Sequence, residues 1–174
     1  TASRSGLARA RTLARELSAR GVTVVSGLAA GIDRAAHEAA IEAGGRTIAV
    51  LGTPLEVAYP PEHAALQGRI ASEHLLVTEF GPGEPVRRGN FPRRDRTMAL
   101  LSGAVVIVEA NETSGALYTA HEALRLGRPV YLLESLVVNP GLTWPAPMIA
   151  AGAGVLARPG VGALVKALTN PGAS

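Results

Sequence analysis

Val22-Thr-Val-Val-Ser-Gly-Leu-Ala-Ala-Gly-Ile-Asp33 is the stretch that decides the fold. Its first four residues are all β-branched and read as a short strand. Ser26, Gly27 and Gly31 then make a turn of small residues, and helical spacing resumes from about Asp33 to Ala43. Towards the amino terminus, Leu7, Ala10, Leu13, Ala14 and Leu17 predict an amphipathic helix over Ser5 to Arg20, ended by Gly21. Towards the carboxyl terminus, strands are predicted at Arg46 to Leu51, Leu75 to Glu79, Ala104 to Glu109 and Pro129 to Leu133. Between them lie helices over Glu62 to Glu73, from Pro92 onward, and over Gly115 to Leu126. Ser135 to Pro147 reads as a long loop and 169–174 as a loose tail.

Short apolar strands alternating with helices imply βαβ crossovers: a Rossmann-like α/β fold with a mainly parallel sheet and helices on both faces. Ligands are then expected beyond the carboxyl ends of the strands. The βα rhythm calls for a strand ahead of Thr1, so either that strand lies outside this sequence or the sheet has one strand fewer.

At 174 residues the chain suits a single domain, residues 1–174. Its apolar share of 47% comes from aliphatic residues, with aromatics at 3%, as befits strands sandwiched between small-residue helices. No apolar run is long enough to cross a bilayer, and Thr1 to Arg15 lacks a secretory apolar block, so no membrane contact and a cytoplasmic location are expected. The absence of cysteine excludes disulfides and thiolate chemistry. Lys166 is the sole lysine among 17 basic residues, and the pI of 9.9 points to an anionic partner. Arginine-rich composition alone does not decide that, so position must.

Three segments carry candidate chemistry. In the first, Gly27 and Gly31 bring backbone N–H groups together before a helix start, which makes either an anion cradle or simply a close-packed turn. Asp33 is expected to cap the following helix by accepting from Ala35 or Ala36, and His37 to pack or hydrogen-bond locally; both are structural supports. The second segment, Arg87-Arg88-Gly-Asn-Phe-Pro-Arg93-Arg94-Asp95-Arg96, gathers five arginines within ten residues around Phe91. Arg93 and Arg96 share a helix face, and a ring among guanidinium groups suits an unpaired base with its phosphates. A solvated ion-pair face or a subunit contact are the rival readings; its place after a strand favours nucleic acid or nucleotide phosphate. The third runs from Val108 to Ala120, where Ser114 and Thr119 offer hydroxyls and Gly115 an exposed backbone N–H. Glu109, which closes a strand, is read as structural support over general base.

Other chemistry finds no pattern. His37, His63, His74 and His121 show no metal-ligand spacing, no nucleophile elbow occurs, and no paired acids stand out, so neither catalysis, metal nor cofactor is expected.

Val24 to His37, Thr47 to Gly52 with Tyr59-Pro60, Phe91 to Arg96, and Val108-Glu-Ala with Ser114 to Ala120 together resemble the DprA/Smf family of DNA-processing proteins, from near Thr1 to about Val130. The resemblance implies a cytoplasmic homodimer that binds incoming single-stranded DNA during natural transformation, protects it and helps load the RecA recombinase. It further implies that Ser26, Gly27, Gly31, Arg88, Phe91, Arg93, Arg94, Arg96, Ser114, Gly115 and Thr119 line the DNA pocket. This chain has Arg94-Asp95-Arg96 where the family has Arg-Asn-Arg, and a carboxylate there repels phosphate unless it ties down a neighbouring arginine. The family's first strand with its Gly-Ser/Thr-Arg ending is not in this sequence, and the stretch after Leu133 follows the family only loosely. The runner-up is a nucleoside-monophosphate phosphoribohydrolase-like enzyme on a related sheet. Its Pro-Gly-Gly-x-Gly-Thr signature is replaced here by Glu112-Thr-Ser-Gly-Ala-Leu. A small-nucleotide sensor is the third reading.

Overall fold

Ser3 starts the first helix, α1 (Arg4–Ser18), by accepting a hydrogen bond from the Gly6 N–H at 2.9 Å. Its buried side consists of Gly6, Ala10 and Ala14, small enough to let a second helix approach closely. That helix is α2 (Ile32–Glu42), and Arg11 and Arg15 reach across to Glu38 and Glu42, each at 3.0 Å. Gly21, at φ 74°, turns the chain after α1 into β1 (Val24–Ser26). β2 (Thr47–Leu51), a 3-10 turn (Pro61–His63), α3 (Ala64–Glu73) and β3 (Leu75–Thr78) follow.

In this computed structural model, which describes residues 2–157 and 161–169, the chain divides into two compact units. The first, through Met98, holds a parallel sheet in the order β1-β2-β3, with Val24 opposite Thr47 and Ile48 opposite Leu75. Its core is Leu28, Ile41, Ala49, Leu51 and Ile70, with Ala14, Val24, Ala39 and Ala40 beside α1. α4 (Asn90–Leu101) ends this unit and begins the next.

From Ala99 onward, β4 (Val105–Ile107), β5 (Val130–Leu133) and β6 (Gly154–Leu156) form a second parallel sheet in that order. α5 (Gly115–Arg125) is the crossover from β4 to β5. The stretch expected as a loop from Ser135 to Pro147 instead contains α6 (Glu134–Val137) and the start of α7 (Pro145–Ala150). Leu136, Trp144 and Met148 fix these short turns by inserting into the core around Ala120, Ala123, Val130 and Leu132. Pro145 opens α7, where its missing N–H is not needed. Thr169, expected to begin a tail, closes α8 (Val161–Thr169), and 170–174 lie outside the described residues.

The α/β class with parallel strands and helical crossovers is as the sequence predicts. Among the described residues no helix is long and apolar enough to cross a membrane.

Candidate nucleic-acid interface

The carboxyl ends of β1, β2 and β3 set the site in the first unit. β1 ends at the half-buried Ser26, and the turn beyond it contains Leu28, fully buried at φ 58°, and Gly31 at φ 94°. A Cβ on Gly31 would lie 2.9 Å from that of Ala2, so both conformation and space require glycine there. His63 donates from Nδ1 to the Leu28 carbonyl at 2.8 Å and holds the left-handed residue in place.

Asp33 does not cap α2 as expected. Gly31 is the N-cap, and the Ala35 N–H bonds the Gly31 carbonyl at 3.0 Å. Asp33 Oδ2 instead turns back to accept from the N–H groups of Gly27 and Ala29, both at 3.2 Å. The Gly27 amide, expected to help cradle a phosphate, is therefore already satisfied by the protein's own carboxylate. Behind the turn, His37 is fully buried and bonded through Nδ1 to Thr47 Oγ1 at 2.7 Å. Because the Thr47 hydroxyl donates to the Val24 carbonyl at 2.9 Å, the imidazole Nδ1–H is the donor. Burial drives its pKa down to about 4, with nearby Asp33 opposing and His63 and His74 adding.

α4 begins at Asn90, two residues before the Pro92 start expected. Buried Asn90 donates from Nδ2 to the Gly52 carbonyl at 3.2 Å, which fixes the helix start to the end of β2. The Phe91 ring lies directly on Gly52, where a Cβ would come within 2.8 Å of Cδ1. Tyr59, 52% exposed, packs its ring 5.3 Å from that of Phe91. Together they form a small aromatic platform with Phe91 half-buried and Tyr59 open to solvent.

The arginines divide into two kinds. Arg87, Arg88, Arg93 and Arg96 are exposed. Arg93 pairs with Glu79 at 3.3 Å and lies 4.9 Å from the Phe80 ring centroid; Glu79 also accepts from the Thr97 hydroxyl. Arg94 departs from its expected role, being only 8% exposed. Its Nη1 donates to the carbonyls of Gly27 and, at 3.3 Å, Val50, while its Nε pairs with Asp95 at 2.8 Å. A guanidinium so enclosed is a tie between strand ends and is not available to grip phosphate. Asp95 is the carboxylate that ties it down. Burial raises the Asp95 pKa, Arg94 opposes that shift, and Asp33 adds to it.

In the second unit, Ser114 is the N-cap of α5, but its hydroxyl makes no cap bond. It donates to Asn111 Oδ1 at 3.0 Å and accepts from the Asn111 N–H at 2.8 Å. The N–H and hydroxyl of Thr113 also donate to Asn111 Oδ1, at 3.0 and 3.2 Å. Gly115 is exposed at the helix start, and Glu109 is half-buried just after β4. Thr119 is buried at 7% exposure among the core-facing residues of α5, which removes it from the expected phosphate contacts. Glu112, taken in the sequence only as part of a turn, accepts from the Thr143 N–H at 2.7 Å and its hydroxyl at 2.9 Å; these bonds lower its carboxyl pKa. Among the described residues no cluster of three or more His, Cys, Asp or Glu could hold a metal.

The structure thus brings Gly27, Gly52, Tyr59, Phe91 and Arg94 together at one end of the first sheet. Gly52, Tyr59 and Asn90 were missed as site residues. The available signals were the Tyr59-Pro60 motif and a glycine directly after a strand.

The model of the family described as DNA recombination-mediator protein A matches residues 1–161. Protein Smf of Escherichia coli is 43% identical over 150 residues, covering 86% of this chain and 40% of that protein. The crystal structure of DNA processing protein A from Streptococcus pneumoniae superposes with a TM-score of 0.80 at 38% identity, covering 88% of this chain and 54% of the other. A structure of DNA processing protein A from Helicobacter pylori, described for its single-stranded DNA binding mode, gives a TM-score of 0.78 at 28% identity, with 88% and 70% covered. The chain spans between 31% and 48% of the length of the curated relatives it matches. With a family match over residues 1–161, 43% identity to a curated relative over most of this chain's length and a shared Rossmann-like α/β fold, the chain belongs to the DNA recombination-mediator protein A (DprA/Smf) family.

Proposed function

We propose that this chain binds single-stranded DNA, stacking an unpaired base on the Phe91–Tyr59 platform and holding the backbone with Arg87, Arg88, Arg93 and Arg96. The observation that carries the reading is the Phe91 ring seated on Gly52, 5.3 Å from an exposed Tyr59 and preceded and followed by exposed arginines. Stacking requires a free base face, and a flexible polyanion can follow side chains spread over a loop and a helix start. The relative from Helicobacter pylori, described for single-stranded DNA binding, supports the same ligand class. In this reading the protein works in the cytoplasm as a homodimer. It protects incoming strands in natural transformation and helps load the RecA recombinase, without catalysis of its own.

Titration of fluorescent oligonucleotides of increasing length, single- and double-stranded, tests the binding. Affinity is expected to rise with length and to favour single strands. Four arginine–phosphate contacts give a log–log salt slope of about −2.8, from about 0.7 per contact. Equal affinity for a nucleoside monophosphate and a long oligonucleotide would overturn the reading in favour of a nucleotide sensor, and hydrolysis of the monophosphate would favour the enzyme.

A further inference from the structure

Arg94 lies one helical turn after Phe91, with its guanidinium carbon 5.9 Å from the Phe91 ring centroid. The same guanidinium is fixed at three points: the Gly27 carbonyl, the Val50 carbonyl and Asp95. Gly27 makes this possible, because a Cβ at that position would overlap the Arg94 guanidinium. Phe91 also rests on Gly52, whose carbonyl is bonded by Asn90. The Phe91 ring is thereby braced by the tied Arg94 guanidinium and by the bare backbone of Gly52. Tyr59, at 5.3 Å, completes the platform.

We propose that Arg94, clamped by Asp95, is a positioning residue that sets the Phe91 ring for base stacking and contacts no phosphate. The proposal rests on the single-stranded DNA reading for its functional consequence, and on the geometry alone for the positioning itself. A planar guanidinium can serve two carbonyls and a carboxylate at once, whereas the ammonium of lysine is a point charge without that fork. Charge alone therefore does not substitute for arginine at this position.

Two variants test it from opposite sides. Arg94→Lys keeps the charge but loses the fork. Gly27→Ala keeps Arg94 and displaces it, at a position whose φ is not in the left-handed region. With the fold monitored by circular dichroism, each variant is expected to lose the nuclear Overhauser contact between the Tyr59 and Phe91 rings, tractable in a chain with three tyrosines and two phenylalanines. Each is expected to bind a (dT) oligonucleotide about 5- to 20-fold more weakly at unchanged salt slope, the range following from the loss of part of one base-stacking interaction. In a Phe91→Ala background the Arg94→Lys effect should shrink to less than about 2-fold, as expected when two residues act as one unit.

A salt slope shallower by about 0.7 in Arg94→Ala would make Arg94 a phosphate ligand and overturn the proposal. So would an undiminished Arg94→Lys effect in the Phe91→Ala background. Should one variant not fold, the other decides alone; should neither fold, Arg94 serves general stability and the proposal falls. Should the wild-type protein bind no oligonucleotide, the DNA reading fails, while the ring-to-ring contact in the variants still decides whether Arg94 positions Phe91.

Discussion

Lowering the pH from 7 to 5 should loosen the first unit through His37. The imidazole is fully buried and its pKa in the folded chain is about 4, against an ordinary value of 6.5. The folded state therefore binds fewer protons at this residue than the unfolded state between these values. The stabilisation is complete above pH 6.5 and is lost as the pH falls towards 4. The gap between these two values corresponds to roughly 3 kcal/mol in total, of which about 2 kcal/mol is lost by pH 5. Glu38, whose carboxyl is held below its usual range by Arg34 and Arg11, adds its own loss only below about pH 4.5. Asp95, raised by burial, acts in the opposite direction, but its contribution cancels when wild type is compared with His37→Gln. Urea midpoints of both proteins at pH 7, 6, 5.5 and 5 give the measurement. The wild-type midpoint is expected to fall steeply, and the His37→Gln profile to be flatter by about 2 kcal/mol over the window. A His37 Cε1 proton resonance that titrates near pH 6.5 in the folded protein, or parallel profiles for the two proteins, would refute the reasoning.

Phe91→Ala should weaken single-stranded DNA binding by about 1–3 kcal/mol with little change in salt slope, read by anisotropy titration across salt. Arg93→Ala should reduce the slope by about 0.7 in the same titration, since it removes one phosphate contact. Glu79→Gln removes the carboxylate paired with Arg93 at 3.3 Å and should strengthen binding a few-fold, most visibly at low salt. Asp33→Ala leaves the Gly27 and Ala29 N–H groups without their acceptor and should destabilise the protein by about 1–3 kcal/mol in urea unfolding.

The strands of the first unit were legible because Val22 to Val25 and Arg46 to Leu51 combine β-branched and apolar residues with glycines at their ends. The segment after Leu133 was not. Helices of four and six residues are too short to show a period, and the three-residue β6 contains a glycine. These elements owe their form to Leu136, Trp144 and Met148 reaching the core. At the candidate site, Phe91 amid arginines was visible as composition. Nothing local distinguished Arg94 from Arg93, because what separates them is Gly27, 67 residues away. Asp95 was the one neighbouring sign, as a carboxylate able to tie down an arginine. Thr119 was misread for a similar reason: its hydroxyl suggested ligand contact, while its place beside Ala120 and one turn before Ala123 put it on the buried face of α5.

Gly27 and Gly52 each leave a notch that is filled by a side chain of α4, Arg94 in one and Phe91 in the other. Neither position can change freely while its occupant stays the same. In a library randomised at 27 and 94 together, survivors with a larger residue at 27 should carry a shorter one at 94, so the two sites should be inherited as a matched pair.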